Sequence, residues 1–149
     1  MKKTVLALSV VAASAVAAFA ADDPVAVRKA IMQSVGGAAG ASGAMMKGEL
    51  DYSPVVAKAA ITTVNAAAHS FADFFPEGSD MDANTTASPK IWEDMAGFEA
   101  ELGKLQTAAA AAMQASGKDG PADLDAFKAA MGPVLGTCKS CHETYRVQK

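Results

Sequence analysis

The sequence predicts an all-α fold, an antiparallel up-down four-helix bundle built from residues 21–149. Three observations point there. Beyond residue 20 the chain is rich in alanine and poor in β-branched and aromatic residues, a balance that favours helix over strand. Apolar residues recur at alternating steps of three and four, the seam of packed helices. Four helix-start signals divide the chain into segments joined mostly by short loops, which makes successive helices antiparallel neighbours.

The first twenty residues stand apart. Lys2 and Lys3 precede an apolar run from Val5 to Ala18, and Ala18-Phe19-Ala20 fits the small-x-small pattern of a secretory cleavage site. The run is too short for a comfortable membrane span. Residues 1–20 are therefore expected to be a cleaved signal peptide, leaving 21–149 as one domain.

Helix A, about 24–48, starts at Asp23-Pro24 and ends at Gly48. Helix B, about 54–75, starts at Ser53-Pro54 and ends at Pro76-Glu77-Gly78-Ser79. The polar stretch from Asp80 to Thr86 reads as irregular. Helix C, about 89–116, starts at Ser88-Pro89 and ends at Gly117-Lys118-Asp119-Gly120. Helix D, about 122–146, follows Gly120-Pro121, with Asp123 as its cap.

The stripes give each helix a buried face. In C, Ile91, Met95, Phe98, Leu102 and Leu105 step by 4, 3, 4 and 3. In D, Leu124, Phe127, Met131, Val134, Cys138, Cys141 and Tyr145 alternate steps of 3 and 4. Helix A carries Arg28, Met32, Val35, Ala39, Ser42 and Met46, and helix B carries Ile61, Val64, Ala68, Phe71 and Phe75. Pro133 interrupts D, and a mid-helix proline costs on the order of 3 kcal/mol and usually kinks, so a bend is expected there.

Cys138-Lys139-Ser140-Cys141-His142 is the attachment signature of a c-type haem. On a helix, positions i, i+3 and i+4 share a face. Both thiols can then add to the vinyl groups of one porphyrin, and His142 can supply an imidazole nitrogen to the iron. A thioredoxin-like pair expects a strand–helix context, which is not visible here. A zinc site needs about four ligands, and the chain has two cysteines and one further histidine. The cysteines lie on D's apolar stripe, so the haem is expected in the bundle core.

Helix rise fixes its level. His142 lies roughly 10 Å from the bundle end, and Met32 roughly 12 Å in from the start of A at the same end. Met95 opens C, and His69 closes B at that level. Met45, Met46, Met113 and Met131 belong nearer the opposite end. The level-matched candidates for the far side of the iron are therefore Met32, Met95 and His69. Met95 sits in a regular seam, where methionine is usually core filler, and His69 falls beside B's stripe as an ordinary boundary histidine. Arg28 opens an otherwise apolar stripe, which suits a haem propionate through the forked guanidinium.

The formal net charge is −3, and without Lys2 and Lys3 the balance is 11 basic against 16 acidic residues, with no basic cluster. A nucleic-acid partner is excluded on that ground. Both cysteines belong to the haem signature, which leaves none for a structural disulfide. Covalent haem c is installed outside the cytoplasm, which agrees with the leader and places the protein in a bacterial periplasm.

The chain resembles the class II c-type cytochromes, the cytochrome c′ group and its low-spin relatives. The residues that carry the resemblance are Arg28 with Met32, Met46-Lys47-Gly48-Glu49, Phe75-Pro76-Glu77-Gly78-Ser79, Ser88-Pro89-Lys90-Ile91-Trp92, and the motif through Glu143-Thr144-Tyr145-Arg146. The resemblance implies a left-handed four-helix bundle with one haem c near one end. It implies thioethers at Cys138 and Cys141, with His142 as proximal ligand. Met32 maps onto the distal position, Arg28 onto the propionate-side arginine and Arg146 onto a basic residue near the proximal face. Many members form homodimers through helices A and B.

The family divides at the distal position. The leading expectation is a periplasmic electron carrier with iron held by His142 and Met32, serving periplasmic redox partner proteins. The alternative is a five-coordinate cytochrome c′ that binds NO or CO, with Met32 only lining the distal pocket. An enzyme is not expected, because peroxide cleavage needs a distal acid–base group and His69 is poorly placed for one.

Overall fold

The computed structural model describes residues 23–147. The expected leader lies outside the described residues. Helix α1 spans Pro24–Lys47; Asp23 caps it by accepting from the Val25 amide at 2.9 Å, and Pro24 occupies the first turn, where its missing N–H costs nothing. It stops at Gly48, whose left-handed backbone (φ 76°) turns its amide back onto the Ala44 and Met45 carbonyls. Four glycines, at 36, 37, 40 and 43, lie inside α1.

Helix α2 spans Pro54–Ser70 and is capped by Ser53. It ends earlier than the pattern suggests. Phe71–Phe74 tightens into a 3-10 turn, which carries Phe71 and Phe75 into the core.

The expected helix C is two helices, α3 (Lys90–Glu93) and α4 (Met95–Ala115). Asp94 breaks it, with φ −138° and ψ 60°. Its side chain explains the break. One carboxylate oxygen caps α4 through the Gly97 amide (3.0 Å), and the other accepts from the Tyr145 hydroxyl (3.0 Å). Ile91, Phe98 and Leu102 are nevertheless all buried, so the seam survives the break.

Helix α5, Leu124–Tyr145, is capped by Asp123 through the Ala126 amide (2.8 Å). It runs unbroken through Pro133, which stands on the exposed face, where water can meet the carbonyl that the ring leaves unpaired.

The packing is an all-α bundle, with no strand among the described residues beyond a single bridge between Ala87 and Arg146. Cross-helix bonds show neighbours running in opposite directions. On α2 and α4, Lys58 reaches Ser116 (2.9 Å), and the Ala68 carbonyl meets Gln106 (3.0 Å). On α4 and α5, Asp94 pairs with Tyr145 and Glu101 with Ser140. Helix α1 packs along α2, α2 along α4, and α4 along α5, whereas α1 and α5 meet sparsely.

The core divides by level, as helix rise predicts. One cluster gathers Met45, Ile61, Val64, Phe127 and Met131, with Met46 and Met113 against it. The other gathers Phe71, Phe75, Ile91, Phe98 and Tyr145, with Met32, Met95 and Cys141 against it.

The α4–α5 turn rests on Gly120, whose φ of 100° suits glycine, and a Cβ there would strike the Pro54 carbonyl of the neighbouring hairpin. Gly120→Ala should therefore lower stability by roughly 2 kcal/mol or more, read as a lower urea midpoint with an unchanged slope.

Candidate functional site

The sparse α1–α5 seam is a slot of about 550 Å³. Helix α1 supplies one wall, with Met32, Val35, Gly36 and Ala39. Helix α5 supplies the facing wall, with Thr137, Cys138, Cys141, His142 and Tyr145. Phe98, Glu101, Leu102 and Leu105 of α4 form the floor, and Thr85, Thr86 and Ala87 of the loop close one end.

The expected site residues meet there. Cys138, Cys141, His142, Met32, Arg28 and Arg146 all line the slot. Of the three level-matched candidates, Met32 is half-buried and lines it; Met95 and His69 are not among its lining residues, and His69 is exposed on the last turn of α2.

Both thiols are half-buried and are not joined in a disulfide. Burial pushes the Cys138 thiol above its ordinary value, and pushes Cys141 up to about 11, with Glu101 and Cys138 adding to it. Both are thus neutral near pH 7. His142 stands exposed at the mouth, yet enclosure of its ring and the charge of Arg146 lower its pKa, so the imidazole favours the neutral, ligating form.

Arg28 lines the slot and is also bonded to the loop. It is 4 % exposed, and both terminal nitrogens go to the loop. One donates to the Phe74 carbonyl (2.8 Å) and the Ser79 hydroxyl (2.8 Å). The other donates to the Ser79 carbonyl (2.9 Å) and the Thr85 hydroxyl (3.3 Å). The guanidinium also lies 4.7 Å from the Phe75 ring centroid and 5.7 Å from that of Trp92. Burial lowers its pKa, while Asp23 and Asp82 oppose that shift. The far end of the loop is tied to α5: the Ser88 amide donates to the Tyr145 carbonyl and the Val147 amide to the Thr86 carbonyl, both at 2.9 Å. Residues 74–88 are thus a strap from the α1 wall to the α5 wall.

A c-type haem fits these residues. Two free thiols at the right helical spacing line a largely apolar slot, with an imidazole one residue further on. At Gly36 an added Cβ would meet nothing within 4 Å, so the slot is roomy along the α1 wall.

Comparison with known proteins decides the family. A sequence profile described as Cytochrome C' matches residues 23–146. The chain belongs to the cytochrome c′ family. This class II family, which includes the cytochromes c-556, is one of electron carriers and gas-binding haem proteins rather than enzymes. The cytochrome c′ of Rhodopseudomonas palustris is 39 % identical over 132 residues, 89 % of this chain and 87 % of that one. A cytochrome c-556 of Agrobacterium tumefaciens is 38 % identical over 126 residues, 82 % of this chain and 93 % of its own length. Among solved structures, a cytochrome c′ from R. palustris superimposes with a TM-score of 0.76 at 38 % identity, covering 85 % of this chain and 98 % of that one. The oxidised cytochrome c556 of R. palustris gives 0.72 at 30 % identity, with the same coverage.

Sequence reasoning missed the clasp between α4 and α5. Glu101 with Ser140 holds the haem motif from within, and Asp94 with Tyr145 holds the turn just beyond it. The carboxylates are seven residues apart on one face, but nothing in the spacing said which hydroxyls they would meet.

Replacing Arg28 with methionine should destabilise the protein by about 2–4 kcal/mol, because charge-assisted bonds vanish and their carbonyl partners stay partly buried. Thermal unfolding would show the loss, and limited proteolysis should cut first between Pro76 and Ala87.

Proposed function

We propose that this is a periplasmic c-type haem protein of the cytochrome c′ kind. In this reading one haem lies in the α1–α5 slot, joined through Cys138 and Cys141, with iron held by His142 alone. Met32 lines the distal pocket. The reading is carried by a contrast within one organism: the chain is closer in both identity and fold to the cytochrome c′ of R. palustris than to its cytochrome c556. This favours the five-coordinate alternative over the methionine-ligated carrier expected first.

When bound, the haem would supply one-electron exchange at iron and a place for a small gas to bind. The chain's residues do the rest. Cys138 and Cys141, three apart on one face of α5, would hold the ring edge through their thiols. His142 presents a neutral imidazole. Met32 and the apolar α1 wall limit what can enter opposite it. Arg28 on the slot wall and Arg146 at the mouth supply positive charge for the propionates. Residues 1–20 act as the export signal that brings the chain to the periplasm for haem attachment. Electrons pass to and from redox partner proteins there. A homodimer through α1 and α2 belongs to the same reading, supported by the exposed Leu50, Val55 and Val56 near their junction.

A second reading keeps Met32 as sixth ligand. What favours it is the placement of Met32 on the slot wall and the 38 % identity to a cytochrome c-556.

Optical spectra separate the two. The five-coordinate reading expects a high-spin ferric spectrum, CO uptake by the ferrous protein, and faster uptake with no change of spin state in Met32→Ala. A low-spin wild-type spectrum that Met32→Ala converts to high spin would overturn it in favour of ligation. Covalent attachment has its own check. The haem should resist acid–solvent extraction in the wild type and come away freely from a Cys138→Ala, Cys141→Ala double variant.

A further inference from the structure

We propose that Glu101 is a charge built into the haem pocket that favours ferric over ferrous iron, and that Lys104 is its partial counter-ion. The inference deepens the function proposed above, because it rests on a haem lying in the α1–α5 slot.

Glu101 is the acidic side chain among the residues lining that slot. Its side chain is 16 % exposed, against 62 % for Lys104. Lys104 donates to one carboxylate oxygen from the next turn of α4, and the Ser140 hydroxyl donates to the other at 2.8 Å. Ser140 lies between the two haem-attachment cysteines, so the carboxylate is held against the attachment turn itself. Two turns earlier on α4, Asp94 makes the equivalent bond to Tyr145 but lies exposed and outside the slot. Position therefore distinguishes Glu101 from a simple helix clasp.

Its charge is present at neutral pH. Lys104, and then Ser140, hold the carboxyl below the ordinary range of a glutamate. Its field reaches along the α5 wall, because it contributes to the raised pKa of Tyr145. The cations of the slot, Lys29, Arg28 and Arg146, belong to α1 and to the chain just past α5 rather than to the α4 floor.

A fixed negative charge stabilises the more positive oxidation state, and an apolar slot screens it less than water would. Lys104 reduces the effect without cancelling it, because its ammonium is largely solvated.

The test compares midpoint potentials of haem-loaded wild type, Glu101→Gln, Lys104→Gln and Ser140→Ala. Glu101→Gln keeps the shape and an oxygen that can accept from Ser140 while removing the charge. It should raise the ferrous-to-ferric ratio at fixed potential by about three- to tenfold, tenfold being about 59 mV for one electron. Lys104→Gln should move the potential a smaller distance the other way. Ser140→Ala should lower the melting temperature and leave the potential near that of wild type. If Glu101→Gln matches wild type in potential while Ser140→Ala loses stability, Glu101 is only a helix clasp and the inference is overturned. Thermal unfolding and covalent haem content of each variant keep misfolding separate from tuning. A wild type without covalent haem would overturn the functional reading, and the inference with it.

Discussion

One of the four seams of this bundle is lined by apolar helix faces that do not meet, and the rest of the structure depends on what joins the two walls around it. Apolar helix faces close on one another when nothing holds them apart. Helices α1 and α5 are nonetheless spaced by a slot of about 550 Å³. At one end the two walls are joined by the strap at 74–88, fastened to α1 by the Arg28 guanidinium and to α5 by backbone bonds on either side of Ala87. Its anchor is polar and its cover aromatic. Phe75 and Trp92 lie against the guanidinium, while Phe75, Phe98 and Tyr145 stack edge to face toward the attachment turn. Burying a cation here is tolerable because its terminal N–H groups have oxygen partners.

The opposite wall is fixed by different chemistry. Carboxylates on α4 take hydroxyls on α5 at two levels, one inside the cysteine motif and one a turn beyond His142. Gly97 permits the second of these, because a Cβ there would collide with the Asp94 carboxylate and the Tyr145 hydroxyl. The α5 wall is therefore set in register against α4, while the α1 wall hangs on the strap. The thiols and imidazole belong to the firmly held side, and Met32 belongs to the other.

Much of this was legible in the chain. Proline after a polar residue marked the starts of α1 and α2, because first-turn prolines and caps are local chemistry. The steps of three and four identified the buried face of α5, including Phe127, Met131, Val134 and Tyr145. Counting along the helices separated Met32 from Met45 and Met131, because rise per residue is nearly constant. The break at Asp94 was not legible. It arises from a tertiary partner fifty-one positions away, and the apolar steps continue across it. Arg28 was recognised as out of place among apolar residues, but its partners on the strap depend on where an irregular loop runs, which periodicity does not encode.

The four glycines of α1 bear on how the two walls respond to being filled. Each costs a helix about 0.5–1 kcal/mol relative to alanine, so this wall has little helical stability of its own. A group seated in the slot would pack against that wall and lend it order, which makes occupancy and local unfolding two sides of one equilibrium. Amide exchange along residues 32–43 would then slow when the slot is filled, while α5, already clasped to α4, would change less. In this sense α1 is the compliant jaw of the fold, and the chain's smallest residues give the pocket its give.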